Sequence, residues 1–120
     1  MAIIGVDHVQ IAMPAGREDD ARDFYGRLLG LPERAKPSDL ASRGGVWFEA
    51  GTVALHLGVE GDFRPARKAH PAFRVTDLRS LVARLREAHV AVVGDDVPEY
   101  RRVYVSDPFG NRIELIDAGR

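Results

Sequence analysis

The two halves of this 120-residue chain follow the same order of predicted elements, and this internal repeat limits the fold more than any other property of the sequence. Each half predicts a strand, an amphipathic helix and three further strands. Pairing His8 with His70 gives an offset of 62 residues and pairing His56 with Glu114 gives 58, so the drift of four residues fits a loop deletion. Neither copy is large enough to bury its own sheet face. We therefore expect two small sheets that share a core, with the helices outside.

The first half combines the alternation of a half-buried strand with the spacing of an amphipathic helix. Residues 6–13 alternate between apolar and other side chains, which predicts a strand. Apolar residues then recur every three or four positions until Gly30, which predicts a helix. The runs 46–50 and 53–59, joined by a two-residue turn, predict a hairpin. The apolar residues are Val9, Ile11 and Met13 in the strand and Ala21, Phe24, Tyr25, Leu28 and Leu29 in the helix.

The second half repeats this order with weaker signals. Residues 70–75 predict a strand if Pro71 lies at its start, where a missing N–H costs least. Thr76 or Asp77 caps a predicted helix whose apolar stripe is Leu78, Leu81, Val82 and Leu85. A short strand over 90–93, a loop over 94–98 and a hairpin of 102–106 with 112–116 complete this half.

These elements predict an α+β fold in which two β-α-β-β-β modules form a cup-shaped mixed sheet. We expect a single domain over 1–120, with module one at 4–60, a basic, proline-bearing linker at 61–68 and module two at 69–118.

Composition excludes several classes of function. The chain has 17 basic and 18 acidic residues, and this balance leaves no global field that attracts nucleic acid or anionic lipid. Cysteine is absent, which excludes disulfides, thiolate metal sites and a cysteine nucleophile. Asp7 interrupts the N-terminal apolar run, and no apolar run approaches the roughly 20 residues that span a bilayer. We expect a cytoplasmic protein without a membrane partner.

The turn sequences predict which side chains face each other. In the segment 107–111 (Asp-Pro-Phe-Gly-Asn), a type I turn followed by a glycine bulge places Tyr104 opposite Glu114. A two-residue loop would instead place Val103 there, because a slip of one residue exchanges the two faces. A two-residue turn at 51–52 pairs Trp47 with His56 in the first half.

Four ligand-type side chains therefore occupy corresponding places of the repeat. His8 and His70 lie on the first strands, and His56 and Glu114 lie on the last strands. Two imidazoles and one carboxylate with open positions form a facial site for a divalent ion such as Fe, Mn, Ni or Zn. The chemistry implied is Lewis-acid activation of an oxygen.

Each of these residues also has a purely structural interpretation. A single strand histidine is more often a hydrogen-bonded core residue than a ligand. Trp47 and Tyr104 fit the core or a pocket wall, and His89 fits the negative end of the second helix. Glu60 lies four residues beyond His56, roughly 13 Å along a strand, which is too far for a shared ion.

Five parts of the chain together resemble a known family. They are Asp7-His8-Val9, Ala21 to Tyr25, Leu28 to Leu31, His70, and Ser106 to Leu115. This family is the vicinal oxygen chelate superfamily, which includes glyoxalases, bleomycin-resistance proteins, fosfomycin-resistance thiol transferases and extradiol dioxygenases. The resemblance implies paired modules that close into a cup around a divalent metal, commonly in a homodimer whose subunits share each site. It also implies His8, His70 and Glu114 as metal ligands.

The resemblance to individual members is partial. His56 stands where glyoxalases carry a glutamate that binds the metal and transfers the proton, so a glyoxalase reaction loses its base. The His, His, Glu set is closer to the fosfomycin-resistance enzymes, and Tyr104 stands at the place of their cavity tyrosine. However, Gln10 replaces their threonine and Arg102 a serine.

Two functional hypotheses follow. The first is a homodimeric metal-dependent enzyme, of lyase or thiol-transferase type, that acts on a small oxygenated substrate. His56 is a candidate fourth ligand, Tyr104 a hydrogen-bond donor, Arg102 a holder of an anionic group, and Gln10 and Trp47 pocket residues. The second is a metal-free binding protein of the bleomycin-resistance kind, which stacks an aromatic ligand without chemistry. The sequence leaves open whether the modules pair within one chain or across a dimer.

Overall fold

A computed structural model describes residues 2–97 and 100–119 of the chain. The predicted loop residue Pro98 lies outside the described residues. The chain divides into two compact units, residues 1–64 and 65–120. The elements are β1 (Val9–Met13), α1 (Glu18–Ala21, continued as a π-helix over Arg22–Leu28), β2 (Glu33–Arg34), a 3₁₀ turn (Ala41–Arg43), β3 (Val46–Ala50), β4 (Val53–Val59), β5 (Ala72–Val75), α2 (Leu78–Glu87), β6 (Val93–Val97), β7 (Tyr100–Ser106) and β8 (Arg112–Asp117).

Each unit contains one four-stranded mixed sheet, and the two sheets have the same topology. The strand order is β1-β4-β3-β2 in the first and β5-β8-β7-β6 in the second. In both units the first strand pairs parallel to the last, and the remaining pairs are antiparallel. The repeat and the α+β class with two β-α-β-β-β modules are therefore confirmed. The predicted single domain and its module boundaries stay predictions.

In the first unit, helix α1 covers one face of the sheet. Val46 and Phe48 on β3 and Leu55 and Leu57 on β4 are all buried, and they alternate with the residues of the opposite face. A Cβ on Gly26 of the π-helix would lie 3.6 Å from the Phe48 ring, so the helix approaches the sheet closely there. The helical residues buried with them are Ala21, Phe24, Tyr25 and Leu28. Because apolar side chains take this face, the polar and aromatic side chains of β3 and β4 lie together on the other.

The second unit follows the same rule with helix α2. Asp77 is the N-cap, since its side chain accepts hydrogen bonds from the Ser80 backbone N–H and hydroxyl. The helix buries the three leucines of the predicted stripe, while Val82 is only half-buried, and β7 and β8 contribute the apolar face of the sheet. The buried residues are Leu78, Leu81 and Leu85 on α2 and Val103, Val105, Ile113 and Leu115 on the strands.

Both predicted hairpin registers are confirmed. Tyr104 lies opposite Glu114, and Trp47 lies opposite His56. The glycine bulge sets the register of the second hairpin. Gly110 has φ +93°, a backbone conformation that residues with an L side chain rarely adopt. Asp107 and Asn111, both buried, close this turn: Asp107 accepts from the Asn111 side-chain amide at 2.9 Å.

Some predicted element boundaries are wrong. The strand expected at 90–93 begins only at Val93, because His89 takes a left-handed conformation (φ 62°) and Val90 donates its N–H to the Leu85 carbonyl. This hydrogen bond belongs to a Schellman motif that ends the helix, so Val90 is held by α2. The loop expected over 94–98 is mostly strand β6, and the short strand β2 is the one strand of the first module whose position the sequence did not indicate.

Both first strands are shorter than predicted, and this moves the two candidate ligands. His8 lies one residue before β1, because the pairing of β1 with β4 begins at Val9. His70 precedes β5, which begins at Ala72 after a proline that has no N–H to donate. The Pro71 carbonyl still accepts from the Glu114 N–H at 3.1 Å, so the chain stays beside β8. Within residues 2–97 and 100–119, no helix has the length and apolar character that crossing a bilayer requires.

Candidate functional site

The second unit brings four of the predicted site residues together on the sheet face opposite α2. His70 Nε2 lies 3.1 Å from Glu114 Oε1, and Arg102 Nη1 lies 3.4 Å from Glu114 Oε2. The Tyr104 ring meets the His70 ring edge-on, with centroids 5.7 Å apart. The Glu114 side chain is only 7% exposed, so its charge is costly unless cations or donors face it.

The hydrogen bonds of His70 decide which of its nitrogens is a ligand atom. Its Nδ1 lies 2.8 Å from the Lys68 carbonyl oxygen, which only accepts hydrogen bonds, so Nδ1 carries a proton. In the neutral imidazole the lone pair is then on Nε2, and it faces a carboxylate oxygen. Two acceptors 3.1 Å apart repel each other unless a proton or a cation lies between them.

This spacing fits a bound metal ion. With metal–ligand bonds of about 2.1 Å, two neighbouring ligands of an octahedral ion lie about 3.0 Å apart. The Nδ1 hydrogen bond to a carbonyl is also the contact that orients metal-binding histidines in proteins. The chemistry and the spacing of His70 and Glu114 therefore fit a divalent ion.

The first unit places three aromatic rings in a stack, again on the face opposite the helix. The His56 ring lies between Trp47, at a centroid distance of 3.8 Å and an angle of 3°, and His8, at 4.3 Å and 18°. His8 Nδ1 lies 2.8 Å from the Asp7 carboxylate, so Nδ1 is again the bound donor and Nε2 keeps the lone pair. This hydrogen bond holds the pKa of Asp7 below its ordinary value.

The centre of this stack favours an uncharged imidazole. Burial lowers the pKa of His56, and the repulsion that two protonated imidazoles would have so close together lowers it further, against the opposing effects of Glu49 and Asp7. A neutral His56 stacks on the Trp47 indole without losing the hydration of a charge. Gln10 lies next to His56 in the parallel ladder and extends over Gly58, where a Cβ would lie 2.7 Å from the amide nitrogen.

The stack also constrains how His56 binds a metal. An ion bound to an imidazole nitrogen lies in the plane of that ring. The rings of His8 and His56 are nearly parallel and stacked, so one ion does not lie in both planes unless a side chain rotates. The assignment of His56 as a fourth ligand stays a prediction that requires this rotation.

The register shows that the two units carry equivalent positions. Trp47 opposite His56 corresponds to Tyr104 opposite Glu114. His8 and His70 precede the strands that run parallel beside these positions. Among the described residues, no three or more His, Asp or Glu side chains gather into a ready-made metal site. Each unit instead presents its own group: the stacked rings in the first, and the His70–Glu114 pair with Tyr104 and Arg102 in the second.

Two contacts were not predicted from the sequence. Asp7 orients His8, a partner that its adjacent position made available. Arg112 places its guanidinium carbon 4.1 Å from the centroid of the Tyr104 ring. The predicted register would have found this contact, since Arg112 lies two residues from Glu114 on the same face of β8.

Comparison with known proteins identifies the family. The family model described as the Glyoxalase/Bleomycin resistance protein/Dioxygenase superfamily matches residues 5–115, which spans both copies of the repeat. The chain belongs to this superfamily. The resemblance of its strand, helix and turn segments is thereby confirmed.

Solved structures share the fold of this superfamily member. A glyoxalase family protein from Bacillus anthracis is 47% identical with a TM-score of 0.91, and the match covers 98% of this chain and 97% of that chain. The antibiotic binding protein TnmS3 from Streptomyces sp. CB03234 is 28% identical, with a TM-score of 0.73 and 98% of each chain covered. The fosfomycin resistance protein FosX from Listeria monocytogenes is 14% identical (TM-score 0.77, 97% and 94% covered) and shows the fold alone. No curated protein sequence matches the chain.

Proposed function

We propose that this glyoxalase-superfamily protein is a metal-dependent enzyme of lyase or thiol-transferase type. His8, His70 and Glu114 hold a divalent ion of Fe, Mn, Ni or Zn, and His56 is the candidate fourth ligand. The protein acts as a homodimer on a small oxygenated substrate. His8 comes to the ion either from the same chain as the other ligands or from a second copy.

One observation carries this proposal: the two histidines at equivalent places of the repeat are oriented in the same way. His8 and His70 each have Nδ1 2.8 Å from an oxygen acceptor, and each therefore presents Nε2. At His70 that nitrogen faces a buried carboxylate at 3.1 Å, which supports a cation between them.

When bound, the ion supplies Lewis-acid stabilisation of negative charge on a substrate oxygen. The protein contributes orientation and hydrogen bonding. The Tyr104 phenol donates a hydrogen bond, Arg102 holds an anionic group, and Trp47 and Gln10 form a wall of the pocket. His56, kept neutral by burial, carries no charge that repels the cation.

Metal analysis tests the proposal directly. Untagged protein, purified without added metal and then loaded, should contain close to one divalent ion per chain. His70→Ala and Glu114→Gln should lose most of it, while Glu60→Gln, at an exposed glutamate, should retain it. Equal metal content in all four proteins would remove His70 and Glu114 as ligands.

A mixing experiment determines whether the ligands come from one chain or two. His8→Ala and His70→Ala are each expected to lack metal. If two subunits share each site, a mixed dimer contains one intact site and one site with both defects. Random mixing of equal amounts then restores about a quarter of the wild-type metal content. No restoration means that each site is built from a single chain.

The aromatic stack supports a second candidate function. The stacked rings of Trp47, His56 and His8 suit the binding of an aromatic ligand. The similar protein TnmS3 is an antibiotic binding protein. In this candidate the cup sequesters a ligand without metal. It predicts that aromatic compounds quench the tryptophan fluorescence equally before and after chelation. A chelator that abolishes the quenching would exclude it.

A further inference from the structure

The second sheet carries an arginine that the proposed metal site does not use. Arg112 lies two residues before Glu114 on β8, so both side chains lie on the same face of the sheet, opposite α2. Arg102 on the same face has the Glu114 carboxylate 3.4 Å from its Nη1. Ser106, not a carboxylate, lies opposite Arg112.

Among the residues that the structure describes, Arg112 has an aromatic ring against its guanidinium and no carboxylate paired with it. Its guanidinium carbon lies 4.1 Å from the centroid of the Tyr104 ring, and that of Arg102 lies 5.5 Å from the same centroid. A guanidinium over an aromatic face is oriented by the ring while its N–H edge remains available for a planar acceptor. Carboxylates and phosphoryl groups match this fork with two parallel hydrogen bonds.

The repeat shows that the fold does not need this cation. Ser106 opposite Arg112 in the second hairpin corresponds to Glu49 opposite Ala54 in the first. The same sheet topology therefore forms with a methyl group at that position. An arginine oriented by the ring beside the candidate ligands is better explained by a ligand than by folding.

We propose that Arg112, stacked on Tyr104, is a specificity-determining residue, and that the substrate carries a carboxylate or phosphoryl group beside the oxygens that chelate the metal. This inference deepens the proposed function and rests on it for the chelating oxygens. Arg112 and Arg102, whose guanidinium carbons lie 4.1 Å and 5.5 Å from the centroid of the Tyr104 ring, bind the oxyanion, while His70 and Glu114 belong to the ion. Substrates in which this group is replaced by a neutral amide bind poorly.

Calorimetric titration of the metal-loaded protein tests the inference, with inorganic phosphate and acetate as probes and acetamide as the neutral counterpart. Arg112→Gln should weaken phosphate binding at least tenfold. Arg112→Lys keeps the charge but loses the fork, so it should weaken binding by a smaller factor of at least three. Arg86→Gln, at an exposed arginine near the end of α2, is the matched control and should stay within twofold of wild type.

The metal content of each variant separates the two proposals. If wild type holds metal and Arg112→Gln binds phosphate within twofold of it, the oxyanion inference is wrong and the metal proposal stands. Wild type that binds phosphate no tighter than acetamide also overturns the inference. If wild type holds no metal but Arg112→Gln still loses phosphate binding, the metal proposal fails and the oxyanion site stands. Should Arg112→Gln not fold, Arg112→Lys decides by the same criteria.

Discussion

Replacing Glu114 with glutamine should change the stability of the metal-free protein little and that of the metal-loaded protein much more. In the metal-free protein, Glu114 Oε1 lies 3.1 Å from His70 Nε2. When the imidazole is uncharged and its Nδ1 is protonated, Nε2 holds a lone pair that faces this carboxylate. A glutamine offers an amide N–H to that lone pair, and such a hydrogen bond stabilises by about 0.5–1.5 kcal/mol. The lost attraction to Arg102, a partly exposed pair at 3.4 Å, costs about 0.5–1 kcal/mol. The free energy of unfolding should therefore change by less than about 1 kcal/mol.

In the metal-loaded protein, the same substitution should lower the free energy of unfolding by a larger amount. An ion present at 100 times its dissociation constant stabilises the folded chain by about 2.7 kcal/mol. If removal of the anionic donor weakens binding tenfold, about 1.4 kcal/mol of that stabilisation disappears at the same metal concentration. For a chain of 120 residues, 1 kcal/mol shifts the midpoint of thermal unfolding by roughly 4 °C. The metal-induced shift should fall from about 10 °C to about 5 °C or less.

Thermal unfolding with a divalent ion and with a chelator measures both effects. Glu60→Gln, which removes a carboxylate from an exposed position after β4, is the matched control and should keep the full metal-induced shift. An equal shift in Glu114→Gln and wild type would refute the ligand role. Destabilisation of metal-free Glu114→Gln by more than about 2 kcal/mol would show that the opposed-acceptor reasoning at His70 is wrong.

Three further predictions concern the fold. The Asn111 side chain, which is 1% exposed, donates a hydrogen bond to Asp107 and accepts one from the Ala66 N–H. Asn111→Ala removes both and should lower the free energy of unfolding by about 2–4 kcal/mol. An unchanged midpoint of urea unfolding would contradict this. The pKa of Asp77 is lowered by its cap hydrogen bonds, so its contribution is present above the ordinary value of 3.8 and is lost as the pH falls through the lowered pKa. Asp77→Asn should lack this acid-induced loss in pH-dependent unfolding, and an identical acid profile would exclude the cap as its source. His89 has a left-handed conformation at the end of α2, which glycine adopts with less strain. His89→Gly should therefore raise the free energy of unfolding by about 0.5 kcal/mol. Calorimetry should detect a higher midpoint of thermal unfolding, and a lower midpoint would show that the His89 side chain makes a stabilising contact.

The hairpin registers were predictable because their causes are local. Gly110 is the residue type that the left-handed position of a bulge requires, and counting outward from it pairs Tyr104 with Glu114. The strand predicted over 90–93 was wrong for a reason that the residue types in this segment do not indicate. A left-handed conformation at His89 extends the end of α2 by one hydrogen bond, and histidine is not the residue type that signals such an end.

The candidate ligands were predictable from the repeat, but their hydrogen bonds were not. Equivalent positions point to His8 and His70, whereas their acceptors differ: a carboxylate for one and the Lys68 carbonyl for the other. The stacking of His56 between two rings, and of Arg112 on Tyr104, depends on side-chain rotation across neighbouring strands. Sequence spacing does not encode that rotation.

Periodicity, turn chemistry and duplication were sufficient for the fold class, the register of the two hairpins and the face on which their residues lie, because these follow from backbone geometry over a few neighbouring positions. The orientation of both imidazoles through Nδ1, the ring stack around His56 and the guanidinium held over a phenol emerged only in three dimensions. They depend on side-chain rotation, which packing and burial in the folded chain select and which then sets hydrogen bonding and charge.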